Sequence, residues 1–309
     1  MGFSEIDKDA VKTYNANFER NPGETEFGDI ASIDIKSMPD FDFLFAGFPC
    51  QPFSLMGKGK GFADTRGTLF FHIEKILNAK KPEFFILENV RGLITHDNGK
   101  TYRSIIKILE KKLGYSTITW LLNSRDYGIP QTRRRAYILG FKDCNLKMKL
   151  EEPAKINLLK TKNPTTWHLL EKSAEDKYYL SKKILKTILS NGSGGFISKS
   201  EINPKIAKPL CATMHKMHRA CQDNYFSDAF IKGKYDSQKD LIVLNKKISK
   251  NIRKITPKEA FRLQGFPDSF VENAKRAGVS DTQLYRQAGN AITIPVAEIV
   301  INNILANLK

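Results

Sequence analysis

Residues Asp40 to Ser54 read DFDFLFAGFPCQPFS, an apolar run that ends in glycine and is followed by one cysteine between two prolines. Proline locks its own φ and moves the preceding residue away from the helical region. Pro49 and Pro52 therefore hold Cys50 in a short extended turn at the end of a strand, and the thiol is positioned rather than packed. Outward from this point the pattern alternates. GFSEIDKDAVKTYNANF is a strand end and then a helix, with Ala10, Val11, Tyr14 and Phe18 on one stripe. A helix is predicted over 68–78, with Leu69, Phe70, Ile73, Ile76 and Leu77 on its apolar side. EFFILENV (83–90) is a strand, 102–113 a helix ended by Gly114, and STITWLL and RAYILGF two further strands. Strands alternating with helices predict an α/β fold, a mostly parallel sheet covered on both faces.

Composition sets the class. The chain has 309 residues, 41% of them hydrophobic, enough for one large and one smaller domain. No apolar run approaches the roughly 20 residues that span a bilayer, and the first residues lack a signal pattern, so a cytoplasmic location without membrane contact is expected. Four cysteines (Cys50, Cys144, Cys211, Cys221) are too few for a disulfide framework. The net charge is +17, which favours a polyanionic partner. Between Cys144 and Lys250 there are twenty lysines and one arginine against ten acids, so most of the excess lies in one segment. That segment has no clear period and contains NGSGG at 191–195. Regularity returns at Thr256-Pro257-Lys258-Glu259, a capping box with proline at the first helical position. The expected organisation is a first catalytic part over 1–143, an irregular domain over 144–252 and a return to the catalytic domain over 253–309.

Ligands of open α/β sheets sit beyond the carboxyl ends of the strands. Cys50 follows FLFAG. Glu88 ends EFFIL, where a carboxylate after four apolar residues needs a partner or a task. In QTRRR, Gln131, Arg133 and Arg135 alternate and are expected to point together, toward a polyanion or an electron-rich heterocycle. Cys211, His215, His218 and Cys221 in PLCATMHKMHRAC suggest zinc, but they span about 15 Å if helical, too far for tetrahedral ligands; no metal is expected.

FPCQPFS, LENV and YGIPQTRRRAYILG resemble three motifs of the cytosine-C5 DNA methyltransferase family, and DTRGTLFFHI, RKITPKEAFRLQGFP and YRQAGNAITIPV resemble three more in the same order. The resemblance covers most of the chain. It implies a Rossmann-like methyltransferase sheet with a smaller target-recognition domain, S-adenosylmethionine as cofactor, double-stranded DNA as partner and a restriction-modification setting with a cognate endonuclease. It implies Cys50 as the nucleophile that adds to cytosine C6, Glu88 as the group at N3, and Arg135 with Arg133 at O2 and the adjacent phosphate. The base must be flipped out of the duplex, and the glycine-rich 55–67 is suited to a lid. Glu5 would bind the ribose hydroxyls, Ile6 the adenine and Asp29 its amine, with Ile30, Pro49, Leu69 and Asn290 lining the rest. Core packing explains Ile6 and Leu69 equally well. Ser54, Gln131, Thr213 and Arg219 would meet DNA.

The sequence departs from the family at its start. The family opens with a strand and a Phe-x-Gly-x-Gly turn about 20 residues before the ribose acid, yet Glu5 is the fifth residue. The expectation is a sheet lacking its first, central strand, with two exposed strand edges and weak cofactor binding unless a complementing N-terminal segment is supplied. The alternatives are a DNA-binding fragment inactive alone and the same chemistry on RNA; the long basic segment argues against the latter.

Overall fold

The computed structural model describes residues 1–49, 69–189, 192–193, 196–197, 201–216, 218–219, 221–233 and 252–307. Of the expected site residues, Cys50 and Ser54 lie outside the described residues, as does the expected lid at 55–67.

In chain order the strands are β1 (Gly2–Phe3), β2 (Thr25–Glu26), β3 (Phe43–Gly47), β4 (Phe84–Val90), β5 (Ser116–Asn123), β6 (Arg134–Phe141), β7 (Gly192–Ser193), β8 (Phe196–Ile197), β9 (Tyr225–Ser227) and β10 (Ile252–Lys254). The helices are α1 (Lys8–Asn17), α2 (Leu69–Lys80), α3 (Gly92–Thr95), α4 (Lys100–Lys107), α5 (Cys144–Lys149), α6 (Lys182–Leu189), α7 (Asp228–Ile231), α8 (Pro257–Arg262), α9 (Asp268–Arg276), α10 (Asp281–Asn290) and α11 (Ile294–Asn307).

The main sheet has the order β3-β4-β6-β5. The four consecutive apolar residues that open β4 are explained by burial on both faces. Phe85 and Leu87 pack with α2 and α4 through Phe70, Ile73, Leu77 and Ile105. Phe84 and Ile86 face the other way, toward Val296, Val300 and Ile304 of α11. The register pairs Phe85 with Gly140 of β6, and a Cβ on Gly140 would lie 2.1 Å from the Phe85 ring, so this glycine is required by the ring across from it. α4 continues into a wider turn, Ile108–Lys112, and the chain leaves it through Gly114 at φ +78°, as the sequence predicts.

The expectation of a mostly parallel sheet needs correction. Only β3 and β4 pair in parallel; β6 runs antiparallel to both of its neighbours. The cause is the connection over 124–133. Parallel neighbours need a crossover of a dozen or more residues, and this shorter link returns the chain directly as a reversed strand.

β1 and β2 form a separate two-stranded parallel sheet. β3 is an edge of the main sheet, and among the described residues no strand lies between β1 and β3. α1 is docked elsewhere: Asn17 Nδ2 donates to Phe270 O (3.0 Å) of α9 and Thr13 Oγ1 to Gln287 Oε1 (2.9 Å) of α10.

The predicted capping box is formed, with Thr256 Oγ1 accepting from Glu259 N and Glu259 Oε2 from Thr256 N. Leu169, Tyr178, Ala207, Leu210, Phe226 and Phe230 share one apolar cluster with Phe261, Val271 and Leu284 of α8 to α10. The middle segment is thus packed directly onto the last helices. The stretch Asp281–Asn307 is long and apolar enough to cross a membrane by length and composition; it is interrupted at 291–293, and Val296, Val300 and Ile304 are buried against the sheet.

Candidate active site

Glu88 sits near the carboxyl end of β4, where it pairs in register with Gly47 of β3 on one side and Tyr137 of β6 on the other. Arg135 lies two residues before Tyr137, diagonally across from Glu88 and on the same face. Its Nε donates to Glu88 Oε1 at 2.9 Å, and the two side chains are only 16% and 12% exposed. Burial pushes the Glu88 carboxyl above the usual carboxylate range; the guanidinium groups of Arg135 and Arg133 oppose that rise without cancelling it. The result is a carboxyl that holds a proton more tightly than an exposed glutamate, set beside a fixed cation.

β3 runs close beside Glu88: a Cβ on Gly47 would stand 3.8 Å from Glu88 Oε2, in ordinary van der Waals contact. Beyond it, Asn89 Nδ2 donates to Phe48 O (2.8 Å) while Asn89 Oδ1 accepts from Val90 N (2.8 Å). Asn89 thereby ties the end of β4 to the chain just before Pro49 and Cys50. Its place in LENV was the available signal, but in the sequence only the acid carried an argument.

Two expected contacts are corrected. Gln131, Arg133 and Arg135 do not point together, because β6 begins at Arg134 and strand alternation does not reach Gln131. Gln131 is fully buried, donating Nε2 to Leu263 O (2.6 Å) and accepting at Oε1 from Leu210 N (3.0 Å), so its side chain is turned into the protein rather than toward the surface where DNA is expected. Arg133 is also buried and donates three of its five N–H groups to the carbonyls of Leu210, Gly289 and Ala291, while its Nε is sealed and unpartnered, so the fork is turned toward backbone rather than toward a phosphate. Burial and the neighbouring Arg135 charge lower its pKa to about 10.

The remaining expected residues lie as follows. Glu5, exposed, accepts at one oxygen from Ile6 N (2.8 Å) and Asp7 N (2.9 Å); the Ile6 side chain is 70% exposed, which answers the core-packing alternative for it. Asp29 caps the short turn Ile30–Ser32 through Ala31 N (2.9 Å), and Ile30 packs against the cluster that holds Phe48 and Phe70. Glu5, Asp29 and Pro49 each follow the end of a strand by two or three residues. Leu69 is half-buried at the start of α2, and Pro49, Asn290 and Thr213 are exposed. Arg219 is paired with Asp223 (3.3 Å). Among the described residues no three acids, histidines or cysteines converge as a metal set.

A family model, C-5 cytosine-specific DNA methylase, matches residues 1–306. The chain belongs to this family. The methylase is 42% identical to Type II methyltransferase M.NlaX of Neisseria lactamica over 99% of this chain and 88% of that protein. It is 38% identical to Type II methyltransferase M1.ScrFI of Lactococcus lactis subsp. cremoris over 99% of this chain and 72% of that protein. Among solved structures, the Entamoeba histolytica methyltransferase EhMeth aligns with a TM-score of 0.73 at 21% identity, covering 99% of this chain and 89% of that one; S. pombe Dnmt2 aligns at 0.68 and 18%, covering 99% and 90%. These two share the fold. The methylase acts on cytosine C5 in DNA with S-adenosylmethionine as methyl donor. A carboxylate anchored by two backbone N–H groups beside an exposed apolar side chain, as at Glu5 and Ile6, fits the ribose hydroxyls and adenine of that cofactor.

Proposed function

We propose that the chain is a Type II restriction-modification methyltransferase that methylates C5 of a flipped cytosine within a specific duplex site, in the compartment that holds the DNA and alongside a cognate endonuclease. The observation that carries the mechanism is the Glu88–Arg135 pair at 2.9 Å, set beside the strand that runs into Pro49 and Cys50. In this reading the Cys50 thiolate forms a bond to C6, and the C5–C6 π electrons move toward C5 as Glu88 delivers a proton to N3. Arg135 holds O2 and keeps Glu88 in place. S-adenosylmethionine supplies the methyl group that C5 takes up. Loss of the C5 proton then expels the thiolate. Glu5, Ile6, Asp29, Ile30, Pro49, Leu69 and Asn290 would hold the cofactor, and Thr213 with the lysines of 144–252 would meet DNA, that segment acting as the target-recognition domain between catalytic parts 1–143 and 253–309.

Duplex DNA carrying 5-fluorocytosine tests this, since fluorine at C5 cannot leave as the proton does. Incubation with S-adenosylmethionine is expected to give a denaturant-resistant protein–DNA adduct that Cys50→Ser abolishes. An adduct that survives in the serine variant would end the proposal.

A second reading is favoured by the split between β1–β2 and β3–β4–β6–β5. A further strand with a glycine turn would pair between β1 and β3 and complete the floor under the methionine half of the cofactor. Titration with labelled S-adenosylmethionine is expected to show weak binding by the chain alone and at least tenfold tighter binding when a strand-turn-helix segment is supplied (about 1.4 kcal/mol). Full methylation by the chain alone would discard this reading.

A further inference from the structure

Gln131 and Arg133 precede Arg135 by four and two residues, and both join the approach to β6 to a loop far away in sequence. Thr132 N donates to Ala207 O (2.9 Å) and Ala207 N to Pro130 O (2.7 Å), so 207 runs beside 130–132 as an isolated parallel bridge at Gln131. The Gln131 side chain then binds Leu210 N and Leu263 O. Arg133 binds Leu210 O (3.0 Å), Gly289 O (3.0 Å) and Ala291 O (2.8 Å). On the far side, α10 presses on the same loop: a Cβ on Gly289 would stand 2.3 Å from Ala212 N. The loop is therefore held between β6 and the end of α10, and it leads directly to the exposed Thr213.

A guanidinium buried among carbonyls, its charge eased by Glu88 only through space, is costly to desolvate. An apolar side chain would fill the same space without that cost. What the fork adds is three fixed backbone positions at once. We infer that Gln131 and Arg133 are positioning residues, which hold the loop over 207–213 in register with Arg135 and Glu88 so that DNA held by the loop meets the pair at a set distance. This rests on the catalytic role proposed for Glu88 and Arg135.

The test compares wild type, Arg133→Met, Arg133→Lys and Gln131→Leu in duplex DNA binding across salt concentrations and in methyl transfer per folded molecule, under conditions where the wild-type chain is active. A guanidinium on a phosphate would lower the salt slope by about one unit when removed; a positioning residue leaves the slope unchanged. Turnover is expected to fall roughly 100-fold in Arg133→Met with the KM for DNA little altered, the scale of a displacement of about 1 Å. Arg133→Lys should rescue little, because an ammonium lacks the planar fork. A reduced slope with rescue by lysine, or wild-type turnover per folded molecule, would overturn the inference. Should the variants fail to fold, hydrogen exchange on the wild-type chain decides: amides of 207–212 are expected to be protected like those of β6, and exchange 100-fold faster in the loop would overturn it. Wild-type protein that never binds DNA would instead bring down the proposed function.

Discussion

Glu88→Gln is expected to lower methyl transfer by roughly 10²- to 10⁴-fold, the range of a lost general acid, while DNA affinity stays within a few fold. Glutamine matches the shape of the side chain and can still accept from Arg135 Nε, but it holds no transferable proton. The same residue sets a pH dependence. Burial raises its pKa, so across the interval from the ordinary glutamate value up to the raised one the folded chain binds more protons than the unfolded chain. Stability from this group is therefore present at the acid end of that interval and declines as pH rises through the raised value. Activity that needs the protonated carboxyl should fall in the same direction. Urea titrations and rates measured from mildly acid to mildly alkaline pH would check both limbs, and Glu88→Gln should flatten each. A glutamine variant retaining a third or more of the wild-type rate would remove Glu88 from the mechanism.

Arg253→Met is expected to cost about 3–5 kcal/mol of folding stability, the penalty for leaving one partner of a buried ion pair alone. Arg253 and Glu259 have side chains 0% and 1% exposed and meet through two bonds of 2.6 and 2.8 Å. The glutamate is also the acceptor for Thr256 N (2.8 Å) and Glu171 N (2.7 Å), and Arg253 Nη2 donates to Glu171 O (3.1 Å). This network joins β10, the first turn of α8 and the chain near Glu171. Domains of ordinary stability have about 5–15 kcal/mol in total, so the loss should be visible in urea unfolding and as a lower Tm. Arg253→Met with Glu259→Leu should recover part of the loss but not all, because Thr256 N and Glu171 N then lack their acceptor. A single variant within 1 kcal/mol of wild type would show that the pair contributes little.

Particular elements show what could be read in advance. The four apolar residues before Glu88 announced a strand covered on both faces, and Thr256-Pro257-Lys258-Glu259 announced a helix start; both are formed, because period and capping are settled by residues a few positions apart. Six short motifs in order were enough to name the family that the whole-chain match shows. The direction of β6 is not legible in the strand's own pattern, since it depends on how a ten-residue link closes. Asn89 was overlooked because its partner, Phe48 O, lies 41 residues away.

The sequence alone determined the α/β alternation, the chemistry available at Cys50, Glu88 and Arg135, and the basic middle segment. Only the tertiary structure decided that Arg135 faces Glu88 while Gln131 and Arg133 turn inward. Their partners stand 77 to 158 residues away, and a buried donor takes whichever carbonyl the fold brings within about 3 Å.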